Sequence, residues 1–381
     1  MTIKMPDSVR LVTVEAFGET IGILTRPGPY TFSYLDRHAK SASITMSPKQ
    51  RLLYNHGQVH PIFAQHLPEG FVRRYISERL ERQADVNDLY LLALQGSKGL
   101  GHLGFVSNMP TINSVPLTLR DITSGNGKGS LFADLLDAYF LNGVASGVQP
   151  KVLIPVQKSS TFNADFIVKS FDSTYPHLAV NEFVCMSAAK HCGIEVPNFW
   201  ISDDQSCFVV ERFDRTQDGG RLAMEDFTVL LNRTKYIGSY ETLLKAAQTL
   251  GSPAMVKKLW EYIVFSCLVG NGDAHLKNFA ILYDQHGKDF RVAPMYDVVN
   301  TLIYDSLDNN MALKLSGSKK FPTWDALMKL AAQFGVAYSV GRIESMADNI
   351  MDYLKGSEYK TVFPGLFTSI SDNVSMVMLR D

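Results

Sequence analysis

The chain is short of cysteine, of long apolar runs and of net charge, and each shortage closes off a class of protein. Its four cysteines, Cys185, Cys192, Cys207 and Cys267, form no CxxC pair and have no histidine partners at zinc spacing. They predict reduced, mostly buried thiols and a cytoplasmic setting, not a disulfide framework or a zinc module. The longest apolar stretch, Tyr262 to Gly270, is well under the roughly 20 residues that cross a bilayer, and Glu261 precedes it. No signal-peptide core follows Met1. A soluble protein with no membrane partner is therefore expected. A formal net charge of −1 argues against a surface that grips nucleic acid throughout. A long polar tract that would stay disordered is also missing.

What is present is 381 residues with 46% hydrophobic content, more than one core usually covers, so two or three subdomains are expected. Residues 9–46 alternate as small sheets do: Val12, Val14, Ile21 and Ile23 flank a Gly18-Glu19-Thr20 turn, and Tyr30, Phe32 and Tyr34 share one strand face. Pro68-Glu69 opens a predicted helix through Arg82, with Phe71, Tyr75, Ile76 and Leu80 on its apolar side. A second helix runs from Asn87 to Leu94 and stops at Gly96, and Thr123 to Ser130 reads as a linker. A helix over 131–141, strands at 151–156 and 166–170, a helix over 180–192 and strands at 199–202 and 207–213 follow. From Tyr240 onward the pattern is helical, broken by strands at 279–283 and 290–293.

The densest chemistry lies between Val269 and Asn300. Asp273 stands five residues before Asn278, and Asp297 follows two short strands later. An acid, then Lys277 and Asn278, then a second acid is the ion-handling layout of phosphoryl transfer. The first aspartate can accept the nucleophile's proton. The asparagine and second aspartate suit Mg²⁺, which takes oxygen ligands and binds through one or two carboxylates plus phosphates. Either half alone also reads as a helix end or a turn; the two together point to a kinase.

Gly99-Leu-Gly101-His-Leu-Gly104 spells a kinase glycine loop, but a helix precedes it where a strand should. The sequence predicts a turn into a strand there. Ala145 to Lys151 is the better phosphate loop, since Gly147 lets the backbone approach an anion. Lys169 on a β-branched strand can reach phosphate, and Glu182 on the next helix can pair with it. The plainer alternatives are a solvated Lys169 and a Glu182 that favours a helix N-terminus. The strand 208–213 falls where a hinge would read adenine.

In this order, Ser146-Gly-Val-Gln-Pro-Lys151, Ile167-Val-Lys169, Asn181-Glu-Phe183, Val210-Glu-Arg-Phe-Asp-Arg215, Gly272-Asp-Ala-His-Leu-Lys-Asn278 and Pro294-Met-Tyr-Asp297 resemble the HipA family of bacterial serine/threonine kinases, toxins of HipA/HipB pairs. The resemblance implies an α+β, protein-kinase-like bilobal fold. Residues 1–123 would be a small β-rich N-terminal subdomain, 124–215 the nucleotide-binding lobe and 216–381 a mostly helical C-terminal lobe. It implies that Asp273 is the catalytic base and that Asn278 and Asp297 hold Mg²⁺. Lys169, His275, Lys277 and Tyr296 would line ATP, Glu211, Arg212 and Phe213 would hold adenine, and Ser146, Gly147, Val148, Gln149, Pro150 and Lys151 would cover the phosphates. Glu182 would pair with the strand lysine.

In HipA-like kinases a serine in the phosphate loop, or two residues earlier, is self-phosphorylated. The earlier position is Val144 here, so Ser146 is the candidate. The implied partners are a helix-turn-helix antitoxin of the HipB kind, operator DNA reached through it, and a protein substrate in translation such as an aminoacyl-tRNA synthetase, with growth arrest or persistence as the outcome. No His-Arg precedes Asp273, Val-Val replaces Phe-Gly after Asp297, and no Ala-Pro-Glu follows, so a eukaryotic activation loop is not expected. Two alternatives remain: a lipid or small-molecule kinase, or a weakly active kinase fold acting mainly as an antitoxin-bound corepressor.

Overall fold

A computed structural model describes residues 5–26, 28–110, 117–124, 151–157, 163–170, 174–216 and 218–380. The helix expected over 131–141 and most of the linker before it lie outside them. The chain folds into two compact units. The first takes Met1–Phe171, Ser202–Glu225 and Leu282–Asp289, and the second Asp172–Ile201, Asp226–Ile281 and Phe290–Asp381.

In the first unit, five antiparallel strands form a sheet in the order Leu53–His56, Tyr30–Tyr34, Glu19–Thr25, Leu11–Ala16, Leu103–Val106. Alternation drives it: Val12, Val14 and Ala16 are fully buried, as are Phe32 and Phe105. The turn sits at Phe17-Gly18, one residue earlier than expected, with both residues at positive φ (53° and 80°). Helices Gly70–Leu80 and Asp88–Gln95 belong to this unit, the latter packed on Leu11–Ala16 and Leu103–Val106. Asn87 caps it by accepting from the Tyr90 N–H at 3.1 Å, and Gly96 at φ 54° ends it. The first helix corrects one expectation. Phe71 faces solvent, and Val72, Ile76 and Leu80, spaced i, i+4 and i+8 on one face, make the buried stripe.

As the sequence predicts, the glycine run 99–104 is a turn into a strand. It follows a helix and the short turn Gly96–Lys98 and leads into Leu103–Val106. Gly101 stands at φ 63°, and a Cβ there would lie 3.0 Å from the Met224 backbone nitrogen. A second set of antiparallel strands, Lys151–Gln157, Asn163–Ser170 and Cys207–Glu211, lies in the same unit. The last is shorter than the expected 207–213.

The second unit is mostly helical: Leu178–His191, Tyr240–Thr249, Pro253–Leu268, Trp324–Gln333, Ser339–Gly356 and Pro364–Val377. Pro253 opens its helix at the position where a missing N–H costs nothing. From Leu259 to Leu268 only Glu261 escapes burial, so this helix is the core of the unit. A hairpin, Asn310–Leu315 with Ser318–Lys320, turns through Ser316-Gly317 at positive φ and interrupts the stretch expected to be helical. Its second strand is short and fully exposed, so it carries no hydrophobic period to read. The same brevity hid the strands Leu53–His56 and Ala223–Asp226. All four cysteines are buried and free. Burial pushes the thiols of Cys185, Cys192 and Cys267 up to about 12, as inert structural cysteines require.

Candidate active site

The core helix Pro253–Leu268 is followed by Gly270 at φ 73°, and the next residues carry the acids. Gly272 must be glycine: a Cβ would sit 2.5 Å from Thr301 Oγ1 and 2.7 Å from the Asn310 carbonyl oxygen. Its N–H instead donates to Thr301 Oγ1 at 2.8 Å. The Asp273 N–H donates to Asn271 Oδ1 at 3.1 Å, and the His275 N–H reaches both the Asp273 carbonyl (2.7 Å) and Asn278 Oδ1 (3.0 Å). Tyr240, wholly buried, donates to the Ala274 carbonyl at 3.1 Å. The backbone from 271 to 278 is thus fixed at each turn. It leaves the Asp273 side chain at the surface and puts His275 and Asn278 inside.

Asp297 is brought to this segment. Asn278 Nδ2 lies 3.4 Å from Asp297 Oδ2, and Tyr296 donates to the Lys277 carbonyl at 2.7 Å, fastening the 294–297 segment in place. Asp297 holds φ 62°, a left-handed conformation that an L residue adopts at a cost of order 1–3 kcal/mol. The surroundings therefore impose that backbone and aim the carboxylate. The Asn278 atom that faces Asp297 is the amide nitrogen, while its Oδ1 accepts from the His275 N–H; the second lone pair of that oxygen and the Asp297 carboxylate are the oxygen donors that Mg²⁺ would take, with phosphate and water completing its shell.

The electrostatics follow from packing. Although Asp273 reaches the surface, the protein packed around it partly desolvates its carboxyl and raises it above its usual 3.8; the nearby His275 and the hydrogen bond from Tyr236 oppose that rise, and Asp297 adds to it. Burial lowers His275 below the usual 6.5, which favours the neutral imidazole, although Asp273 pulls the other way. Asp226, capping the helix Phe227–Leu231 through the Thr228 and Val229 N–H groups, is raised by burial and held back by Lys277. Tyr296 is pushed well above 10 by burial and by Asp226 and Asp297.

In the first unit, register decides the chemistry. Lys151 lies directly opposite Lys169, and Lys169 opposite Phe208, so these three share one sheet face. Both lysines are buried, at 6% and 4% exposure, and Lys169 Nζ lies 5.5 Å from the Phe208 ring centroid. The alternative of a solvated Lys169 is excluded. Two residues along, Leu153, Ile167 and Val210 make an apolar row on the same face. A cationic row beside an apolar one suits a ligand with phosphates at one end and an aromatic ring at the other.

Arg212 behaves differently from its neighbours. Its guanidinium is spent inside the unit, on Asp214 (Nη2 to Oδ2, 2.6 Å) and on the Lys98 and Gly99 carbonyls at 2.8 and 2.7 Å. The Arg212 backbone N–H is also engaged, donating to the Asp165 carbonyl at 3.1 Å. Glu211 and Phe213 are half-buried, and Glu182 is fully buried on Leu178–His191. Ser146, Gly147, Val148, Gln149 and Pro150 lie outside the described residues.

Three participants were given no role by the sequence, although Asn181 stands in the Asn181-Glu-Phe183 motif. Asn181 exchanges two hydrogen bonds with the Asn300 backbone, both 2.8 Å, and Asn300 Nδ2 donates to the Val269 carbonyl at 2.8 Å. This buried bridge ties the helix of Glu182 to the end of the core helix and to the segment after Asp297. The third is Tyr236, whose hydroxyl donates to Asp273 Oδ1 at 3.1 Å.

Residues 143–356 match the family model of the HipA-like C-terminal domain, and residues 12–106 that of the HipA N-terminal domain. Among curated relatives, the putative kinase Y4mE of Sinorhizobium fredii is 28% identical over 360 residues, covering 84% of each chain. The serine/threonine-protein kinase toxin HipA of Shewanella oneidensis is 28% identical over 202 residues, covering 45% of this chain and 46% of its own. A chain from the solved complex of Shewanella oneidensis MR-1 HipA, HipB and operator DNA shares the fold, with a TM-score of 0.70 over 96% of both chains at 19% identity.

Proposed function

We propose that this chain, which belongs to the HipA family, is an ATP- and Mg²⁺-dependent serine/threonine protein kinase and the toxin of a toxin–antitoxin pair. The observation that carries the reading is the convergence of Asp273, Asn278 and Asp297 on a segment whose backbone is fixed at every turn. Asp273 supplies a carboxylate at the surface, where an incoming hydroxyl can reach it, and accepts the proton as the oxygen attacks the γ-phosphorus, whose bond to the β,γ-bridging oxygen breaks to release ADP. Asn278 and Asp297 would hold Mg²⁺, which neutralises charge on the transferring phosphoryl group. Lys151 and Lys169 face the phosphates from their shared strand row, and the apolar row Leu153, Ile167 and Val210 packs on the adenine. His275 and Lys277 line the nucleotide beside Tyr296. The family resemblance would give Ser146–Lys151 the phosphates, Glu211 to Phe213 the adenine edge, and Glu182 the pairing with the strand lysine.

The partner is a helix-turn-helix antitoxin of the HipB kind, with operator DNA reached through it, and the phosphorylated target is a translation component. The crystallised HipA of Shewanella oneidensis, whose fold this chain shares, is assembled with HipB and operator DNA. The cytoplasm is the compartment that fits these partners, and among the described residues no helix is long and apolar enough to cross a membrane.

Asp273→Asn should slow transfer of label from γ-³²P-ATP by about 10²–10⁴-fold, and Asp297→Asn should abolish it, with both variants melting as the parent does. Transfer at the parent rate by either variant would overturn the assignment.

A further inference from the structure

We propose that Tyr236 is the positioning residue of the Asp273 base, holding one carboxylate oxygen so that the other faces the incoming hydroxyl. The proposal rests on the kinase reading above and deepens it.

Among the described residues, Tyr236 is the side chain that hydrogen-bonds the Asp273 carboxylate, through its hydroxyl to Oδ1 at 3.1 Å. Its other hydrogen bonds are made by the backbone, the N–H donating to Asn271 Oδ1 and the carbonyl accepting from the His275 N–H. The backbone network therefore leaves the orientation of the carboxylate open, and the phenol closes it. A carboxylate has two oxygens. With Oδ1 occupied by a donor, Oδ2 is the one presented for proton abstraction.

The phenol is itself held for this task. Tyr236 lies on the loop between Asn232, a left-handed cap at φ 49°, and Ser239, the cap of Tyr240–Thr249. The Lys235 carbonyl accepts from the Leu276 N–H at 3.0 Å, tying the loop to the catalytic segment, and the Gly238 carbonyl accepts from Lys314 N–H at 3.4 Å. The ring meets His275 edge-on, centroids 5.2 Å apart at 73°, with Lys235 Nζ 5.2 Å from its own centroid. Yet Tyr236 remains 45% exposed and its neighbour Ile237 60%. A tyrosine fixed at a surface by partners at the base is not there to fill a core. Removing its hydroxyl frees the Asp273 carboxylate to rotate, and misplacing a reacting group by about 1 Å costs on the order of 10²-fold.

The test uses the full chain with Mg·ATP and dephosphorylated casein as acceptor. Tyr236→Phe keeps the ring and deletes the hydrogen bond. It should lower kcat by about 10- to 100-fold while KM for ATP and the melting curve stay as in the parent. A role confined to folding would move the melting curve, and a role in nucleotide binding would move KM. Tyr236→Phe combined with Asp273→Asn should be no slower than Asp273→Asn alone, because the phenol acts through that carboxylate. A parent-level kcat for Tyr236→Phe alongside a slow Asp273→Asn overturns this proposal and leaves the kinase reading standing. Parent-level rates for both overturn the two together. Independent, multiplicative losses in the double variant would also refute it.

Discussion

Replacing Asp214 by asparagine should destabilise the first unit severely, and the structure gives the size. The Asp214 side chain is 2% exposed and that of its partner Arg212 1%. One carboxylate accepts from Arg212 Nε at 2.9 Å and Nη2 at 2.6 Å, from Arg215 Nη1 at 3.1 Å, and from the Gly101 N–H. Burial alone would raise its pKa, but Arg212 and Arg215 outweigh burial and hold it well below 3.8. Asp214→Asn keeps the shape and removes the charge, leaving two guanidinium groups facing an amide. Breaking a buried pair by removing one partner costs about 3–5 kcal/mol. At about 2–4 °C per kcal/mol for a unit of roughly 200 residues, its melting transition should fall by about 6–20 °C. The sign with pH follows from the depressed value. The carboxylate's stabilisation is present above the ordinary carboxylate range and is lost as pH falls through its low folded value, so the gap should hold between about pH 5 and 7 and narrow only in strong acid. Asp165→Asn is the control. Asp165 is 34% exposed at its side chain and 3.3 Å from Arg212, so its loss should cost under about 1 kcal/mol. Scanning calorimetry of the three proteins decides. An Asp214→Asn transition within about 2 °C of the parent would refute the reasoning.

Three further outcomes are expected. Ser146→Asp should weaken ATP binding in calorimetry, since a charge in the phosphate loop repels the nucleotide, whereas Ser146→Ala should bind normally; equal affinity for the Asp variant and the parent would count against Ser146 as a regulatory site. Because Asp273 must be ionised to act as base and burial raises its pKa, kcat should fall with acidification along a limb lying above 3.8, and a limb at or below that value would contradict the role. The isolated chain should not shift its own promoter DNA at sub-micromolar concentration in physiological salt, given its net charge of −1, and should do so when the antitoxin is added.

Much of the site is legible in the chain because its chemistry is local. Asp273 and Asn278 lie within one turn-sized segment, and Asp297 follows a short strand pair, so spacing along the sequence already implies spacing in the fold. The first sheet is legible for the same reason: the alternation of Val12, Val14 and Ala16 is written by burial on one face. Short exposed strands such as Ser318–Lys320 leave no such pattern. Contacts between distant residues leave none either. That Lys151 stands opposite Lys169 follows from strand register, which no single strand encodes. Arg212 sits in a motif that reads as a ligand contact, but its environment is set by Asp214 and by carbonyls more than a hundred residues away, and these draw its guanidinium into the interior. Tyr236 is 37 residues from Asp273 in a loop without a motif, and Asn181 is 119 from Asn300. The sequence by itself determined which residues are proposed to hold a metal ion and take a proton. Only the tertiary structure decided which of them are oriented and by what, because orientation comes from hydrogen bonds between segments that chain closure, not local spacing, brings together.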